Sequence, residues 1–213
     1  TAVLRDHVRL AHMQLGIDFG TTRTVVAYAD RGNYPVVGFT DSHGDAHEFL
    51  PSLVASADQG LVYGFAAAQA RAAGRPVLRS MKRELASAMA STSSQVHVGH
   101  EQYQLLDVMV GYLNHVRTQL ETSSTIAPLL KSDPIAGVVV AVPAHANSGQ
   151  RFLTLEAFRQ AGFPVTAMLN EPSAAGFEYT HRLAGSPSAR RSRLVVYDLG
   201  GGTFDASLVA IHD

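Results

Sequence analysis

The chain of 213 residues is 46% hydrophobic and 16% charged, which is enough apolar material for a sizeable core and too little charge for a disordered chain. Seventeen Lys and Arg nearly balance eighteen Asp and Glu, so no global field selects nucleic acid or an anionic membrane, and neither is expected as a partner. The absence of cysteine excludes a disulfide framework, a thiolate nucleophile and a thiolate metal site, and it points to an intracellular, cytoplasmic protein.

Residues 1–13 read as an N-terminal extension that ends at Met13. The first twelve mix Arg5, Asp6, His7 and Arg9 with scattered apolar residues and lack the apolar centre of a signal peptide. Residues 14–18 and 24–28 are β-branched and apolar runs around Gly20-Thr21-Thr22, which predicts a hairpin. Residues 33–39 predict an edge strand because Pro35 interrupts them, and the tract 41–45 is rich in turn formers. Short strands are expected at 50–55 and 61–64. An alanine-rich helix over 65–73 should stop at Gly74, a residue that tolerates positive φ.

Leu105, Met109, Leu113, Val116 and Leu120 recur at three- and four-residue spacing and predict a helix over 102–121. The Val-rich run at 137–143 reads as a central strand buried on both faces of a sheet. At 138–144 the longest apolar stretch is far short of the roughly 20 residues that cross a bilayer. Ser148 is placed to cap a helix over 149–161 ending at Gly162, and Pro172 suits the first turn of a helix running to about 184, with Glu178 and Arg182 one turn apart. Residues 185–193 form a polar, breaker-rich connection. Beyond it, 194–197 and 204–211 predict a second hairpin around Gly200-Gly201-Gly202-Thr203. A lone hairpin with unpaired edges and no helix over it is an aggregation hazard, so the expectation is a fragment of a longer protein.

The two hairpin turns resemble one another. Each brings an apolar strand to an aspartate, Asp18 or Asp198, and then offers Gly and Thr. Glycine lets backbone N–H groups approach phosphate oxygens without an obstructing Cβ, and threonine adds a hydroxyl donor. One such turn alone is ordinarily just a turn. Two of them, 180 residues apart with helices and a strand between, are the pattern of a duplicated fold whose halves embrace a polyphosphate. The two aspartates would repel that charge unless a divalent cation with its water shell lay between, which implies Mg2+.

On these residues the chain resembles the ATPase domain of the heat-shock seventy-kilodalton chaperones, the DnaK family, within the actin and sugar-kinase superfamily. The elements stand in order: residues 15–22 as the first phosphate loop, Met81-Lys82-Arg83 as the catalytic lysine segment, Val140-Ala141-Val142-Pro143-Ala144 as the switch-proline strand, then Asn170-Glu171-Pro172-Ser173-Ala174-Ala175 and the triglycine turn. The resemblance covers residues 14–213. It implies an α/β, ribonuclease-H-like (actin-like) lobe, a mixed sheet flanked by helices, over 14–187 with a peripheral subdomain at about 51–104. Residues 188–213 would be the linker and first hairpin of a second lobe.

The same resemblance implies a Mg2+-dependent ATPase using ATP/ADP, with K+ as a second ion. Lys82, Glu171, Asp198 and Thr203 take catalytic roles, Lys82 at the γ-phosphate and the attacking water, Glu171 and Asp198 at the magnesium waters and the released proton. Gly20, Thr21, Thr22, Arg23, Gly201, Gly202 and Thr203 cradle the nucleotide. Asp18, Asp198, Asp205 and Glu171 surround the metals, mostly through water. Pro143 and Arg151 belong to a relay toward a peptide-binding domain, and the implied partners are unfolded client peptides, a J-domain co-chaperone and a nucleotide exchange factor. Two departures stand out: His145-Ala146-Asn147-Ser148 replaces the usual Tyr-Phe-Asn-Asp, and Arg23 follows the Thr pair. Rival readings are an actin-like filament ATPase and a small-molecule kinase. The cluster His43, Asp45, His47 and Glu48, like His97 and His100, reads as solvated loop rather than a zinc site, because no second spaced ligand pair accompanies it.

Overall fold

A computed structural model describes residues 12–86, 90–182, 193–201 and 204–210, without the side chains of 180–182. Strands β1 (Met13–Phe19) and β2 (Arg23–Tyr28) form the first hairpin, pairing Phe19 with Thr24 and Asp18 with Val25. The expected edge strand at 33–39 is not continuous. Isolated bridges join Asp30 to Asn33 and Ala27 to Val36, and Val37 N–H bonds the Val26 carbonyl. Pro35, which has no N–H, interrupts the ladder there. The outer position beside β2 is completed instead by β5 (Leu50–Pro51), after the small pair β3 (Phe39–Thr40) and β4 (Ala46–His47).

Strands β6 (Val54–Ala57), β7 (Gly60–Tyr63) and β8 (Val77–Leu78) make a three-stranded antiparallel sheet, with helix α1 (Gly64–Ala72) between β7 and β8. Gly74 follows α1 with φ +80°, the left-handed geometry expected of its stop. Helix α2 (Met81–Leu85) precedes the hairpin β9 (Gln95–Val98) and β10 (Glu101–Gln104). That hairpin corrects the predicted helix start at 102: residues 102–104 pair with 95–97, and helix α3 (Leu105–Thr122) begins only after them. Its apolar stripe is buried as the spacing requires, Met109, Leu113, Val116 and Leu120 completely.

After the short α4 (Ala127–Leu130) come β11 (Ile135–Val142), α5 (Ser148–Gln160), β12 (Val165–Asn170) and α6 (Glu171–Arg182). The cap of α5 is Asn147, not Ser148. Its side chain accepts from Gln150 N–H at 2.9 Å while the Gln150 side chain accepts from Asn147 N–H at 3.1 Å, a reciprocal pair that satisfies two end donors. The last hairpin is β13 (Arg193–Leu199) with β14 (Phe204–Ala210). It is not bare, as the sequence suggested: α6 packs on it, with Gly176 against the Leu194 and Val209 side chains. Residues 185–192 of the expected connection, the side chain of Arg182 opposite Glu178, Gly202 and Thr203 lie outside the described residues, while Arg193, expected in that connection, opens β13.

The main sheet runs β12-β11-β1-β2-β5, with β11 and β12 parallel to β1 and with β2 and β5 antiparallel to their neighbours. This is the mixed α/β sheet with flanking helices that the sequence predicts. Its two faces differ. In β1, Met13, Leu15, Ile17 and Phe19 are buried while Gln14, Gly16 and Asp18 alternate outward. Phe19 packs on Tyr112 of α3 and edge-on to Phe158 of α5, so these helices seal one face. β11 is buried all along that side, at Val138, Val140 and Val142, whereas on the other side Gly137 is buried but Val139 and Ala141 are only half-buried. The expectation of burial on both faces is thus corrected: the second face stays partly open beneath α6.

One buried polar connection ties this layer together. Tyr112 Oη donates to Thr24 Oγ1 at 2.8 Å, and Thr24 Oγ1 pairs with Ser52 Oγ at 3.0 Å. Burial pushes the Tyr112 phenol up to about 12, so it acts as a neutral donor. Tyr112→Phe removes that donor and should lower unfolding free energy by about 1–2 kcal/mol in urea titrations. A variant as stable as the parent would show that the network adds nothing.

Candidate functional site

The site grows from the carboxyl ends of three parallel strands, where an open α/β sheet leaves its crevice. Asp18 stands near the end of β1, Pro143 just past β11, and Glu171 at the junction of β12 and α6. Asp18 projects from the open face because Ile17 and Phe19 take the buried one. The turn after it closes by Gly20 N–H to the Arg23 carbonyl at 3.0 Å. A Cβ on Gly20 would come within 2.4 Å of that oxygen, so only glycine fits this approach.

The second acidic turn reaches the first. Asp198 lies in β13 opposite Asp205, and the chain then enters Gly200 and Gly201. A Cβ on Gly201 would lie 2.4 Å from Thr22 Oγ1, so the two turns are in direct contact. Between them a cleft of about 520 Å³ is lined by Asp18, Gly20, Thr21, Thr22, Arg23, Lys82, Glu171, Asp198, Gly200 and Gly201, with Val25 and Leu199. A separate cavity of about 310 Å³, with Arg117 and Pro134 in its wall, opens near the beginning of β11 and β12, away from these carboxyl ends.

Lys82 arrives on α2, whose N-cap Ser80 accepts from Arg83 N–H at 3.1 Å and whose Met81 and Leu85 are buried. That anchoring turns the Lys82 stem toward the cleft, where its Nζ donates to Glu171 Oε1. Both side chains are nearly enclosed, 14% and 15% exposed. Pro143 and the Lys82 stem line one small cavity with Phe19 and Leu85. Arg151 donates through Nε to the Ala146 carbonyl at 3.1 Å and through Nη2 to Asn170 Oδ1 at 2.7 Å, next to Glu171 in the chain. Asp205 stands apart from the main cleft, its Oδ1 3.6 Å from His145 Nδ1, one of the residues that depart from the family pattern. Gly202 and Thr203 cannot be placed, being outside the described residues.

Asp18 reaches the cleft, yet protein crowds it, and this desolvation pushes its carboxyl up to about 6. Lys82 opposes the shift, while Glu171 and Asp198 reinforce it. Three carboxylates therefore share one region with one ammonium. Among the described residues no group of three His, Asp or Glu is arranged to hold a bare metal ion. Such a cluster of acids, mutually repelling but not chelating, fits a divalent cation that retains its water shell. In the tract of His43, Asp45, His47 and Glu48, Asp41 gathers His43 N–H, Asp45 N–H and the His47 ring.

The raised Asp18 value has a defined sign. The folded chain holds this proton more tightly than the unfolded one, so the contribution to stability is complete below the ordinary 3.8 and is lost as pH rises through about 6. Asp18→Asn removes the titration. Its gain in urea midpoint over the parent, measured with chelator present, should widen from about pH 4 to about pH 7. A constant difference across that range would contradict the assigned environment.

Sequence reasoning missed Phe49, whose ring lies 4.4 Å beneath the Arg23 guanidinium. It stands in an irregular stretch 26 residues after Arg23, where no periodicity marks it.

Comparison with known proteins bears on this geometry. The model of the family described as Hsp70 protein matches residues 14–213. The chaperone protein HscA of Cronobacter sakazakii is 35% identical over 210 residues, covering 92% of this chain and 32% of that protein. The HscA proteins of Citrobacter koseri and Salmonella agona are each 34% identical over 209 residues, with the same 92% and 32% coverage. The chain thus spans about a third of the length of the curated relatives it matches.

Proposed function

Because the chain belongs to the Hsp70 family, we propose that it forms the first lobe and the opening hairpin of an ATP-hydrolysing domain in a DnaK- or HscA-type chaperone. The lobe comprises residues 14–187, with a peripheral subdomain at about 51–104, and 188–213 begin the second lobe. The single observation that carries this reading is the contact of the two acidic turns, Gly201 against Thr22, around a cleft that also receives Lys82 and Glu171.

In this reading the phosphates of ATP sit on the backbone and hydroxyls of Gly20, Thr21 and Thr22 from one turn and Gly201, Gly202 and Thr203 from the other. Lys82 leaves Glu171 for the γ-phosphate and orients the attacking water, a role its short α2 anchor suits. Glu171, once free of Lys82, accepts the proton of that water together with Asp198. Asp18, Glu171 and Asp198 would hold Mg2+, mostly through water, and Asp205 would complete the surroundings of the ions, K+ among them. Bound there, the metal would neutralise charge on the phosphates. Arg151 and Pro143 sit where a change at Glu171 or Lys82 is felt first, which favours their part in signalling nucleotide state.

By family, the whole protein would act on unfolded client peptides with a J-domain co-chaperone and a nucleotide exchange factor, in the cytoplasm. Among the described residues no helix is long and apolar enough to cross a membrane.

Lys82→Ala in the full-length protein should lower ATP turnover by roughly 100-fold or more while sparing nucleotide affinity, read by single-turnover hydrolysis and calorimetry. Unchanged turnover would remove Lys82 from the chemistry. The 213-residue chain alone should bind ATP more weakly than micromolar, because in this reading the adenosine pocket belongs to the part of the relatives' length that the chain does not span; micromolar or tighter binding would refute that placement.

A further inference from the structure

Arg23 is a cation without an anionic partner. Among the described residues its guanidinium forms no hydrogen bond or ion pair, whereas the other cation of the cleft, Lys82, is engaged with Glu171. Arg23 lines the phosphate-sized cleft, and its guanidinium requires a reason to stay beside it rather than disperse into solvent, since a long side chain held in one place loses rotamer entropy.

The loop between β3 and β5 supplies that reason. Phe49 lies under the guanidinium at 4.4 Å. Phe49 meets His47 edge-on, with ring centroids 5.8 Å apart, and His47 stacks at a tilt on Phe65 of α1 at 4.8 Å. The far side of His47 is fixed by Asp41, whose Oδ2 lies 3.0 Å from His47 Nε2 and whose Oδ1 accepts from His43 N–H and Asp45 N–H. The acid and histidine tract that composition alone leaves as solvated loop is thus a brace that runs from α1 to the cleft.

We propose that Arg23 is a phosphate-binding residue of this cleft, a guanidinium clamp for the phosphate chain of a nucleoside polyphosphate, and that Phe49 is its positioning residue. The inference rests on the nucleotide-binding reading and deepens it. A planar guanidinium stacks on a ring and still points its N–H fork at phosphate oxygens, which an ammonium cannot do. The clamp distinguishes ligands by phosphate charge and not by base, so its loss weakens ATP most, ADP less and adenosine least.

The test is calorimetric titration of the full-length protein with ATP, ADP, adenosine and inorganic tripolyphosphate at two salt concentrations. Arg23→Gln should weaken ATP and tripolyphosphate by about tenfold, leave adenosine nearly unchanged and flatten the salt dependence of ATP affinity. Arg23→Lys should restore the salt dependence and only part of the affinity. Phe49→Leu should weaken ATP about threefold with its salt dependence retained, because the charge remains but is less well held, and Phe49→Tyr should restore affinity. If the parent binds ATP and Arg23→Gln binds it equally well, or loses ATP and adenosine alike, the clamp is overturned while the nucleotide site stands. A parent that binds neither ATP nor tripolyphosphate would overturn the nucleotide reading and the clamp together.

Discussion

Three carboxylates, Asp18, Glu171 and Asp198, and one ammonium, Lys82, are brought to a common region, and every other feature of the cleft follows from that concentration of charge. Four such groups do not gather by mutual attraction. Their net charge is negative, and crowding further penalises the Asp18 anion. They are forced together by apolar packing elsewhere: Phe19 against Tyr112 and Phe158, Met81 and Leu85 under α2, and Gly176 of α6 against Leu194 and Val209. The core supplies the stability that the site consumes, a common arrangement where charge is to be neutralised by a ligand.

The asymmetry of the main sheet makes the site possible. Helices α3 and α5 occupy the face that takes Ile17 and Phe19, leaving the Asp18 face partly open. A sheet buried on both faces would have enclosed Asp18 completely and shut out any phosphate. The half-covered face also explains why Val139 and Ala141 of the apolar strand β11 are only half-buried while Val138, Val140 and Val142 are buried. The outer face of the β13–β14 hairpin, where Val195, Tyr197, Leu199, Phe204 and Leu208 are exposed, differs from its inner face on α6 in the same way.

Around the cleft the supporting contacts are short and few. Arg151 joins the start of α5 to Asn170, one residue from Glu171, and Pro143 shares a cavity with the stem of Lys82. The departure His145 faces Asp205, so the altered tetrapeptide lies beside the second acidic hairpin rather than over the main cleft. The other departure, Arg23, lies within the main cleft and is held by an aromatic brace drawn from a different part of the chain.

Much of this was legible in the residues alone. The two Asp-Gly-Thr turns, the α3 stripe, the stop at Gly74 and the Val-rich strand expected at 137–143 follow from local hydrogen bonding, side-chain periodicity and the tolerance of glycine for positive φ, all of which act over a few residues. Local rules also misplaced the α3 start and the α5 cap, where Gln102 and Ser148 are plausible by type; pairing with β9 and the reciprocal bonds of Asn147 with Gln150 overruled them. Tertiary structure alone decided that Gly201 meets Thr22, that Lys82 pairs with Glu171 across 89 positions, and that Phe49 carries Arg23. Such contacts depend on how whole elements pack, and no spacing along the chain encodes them.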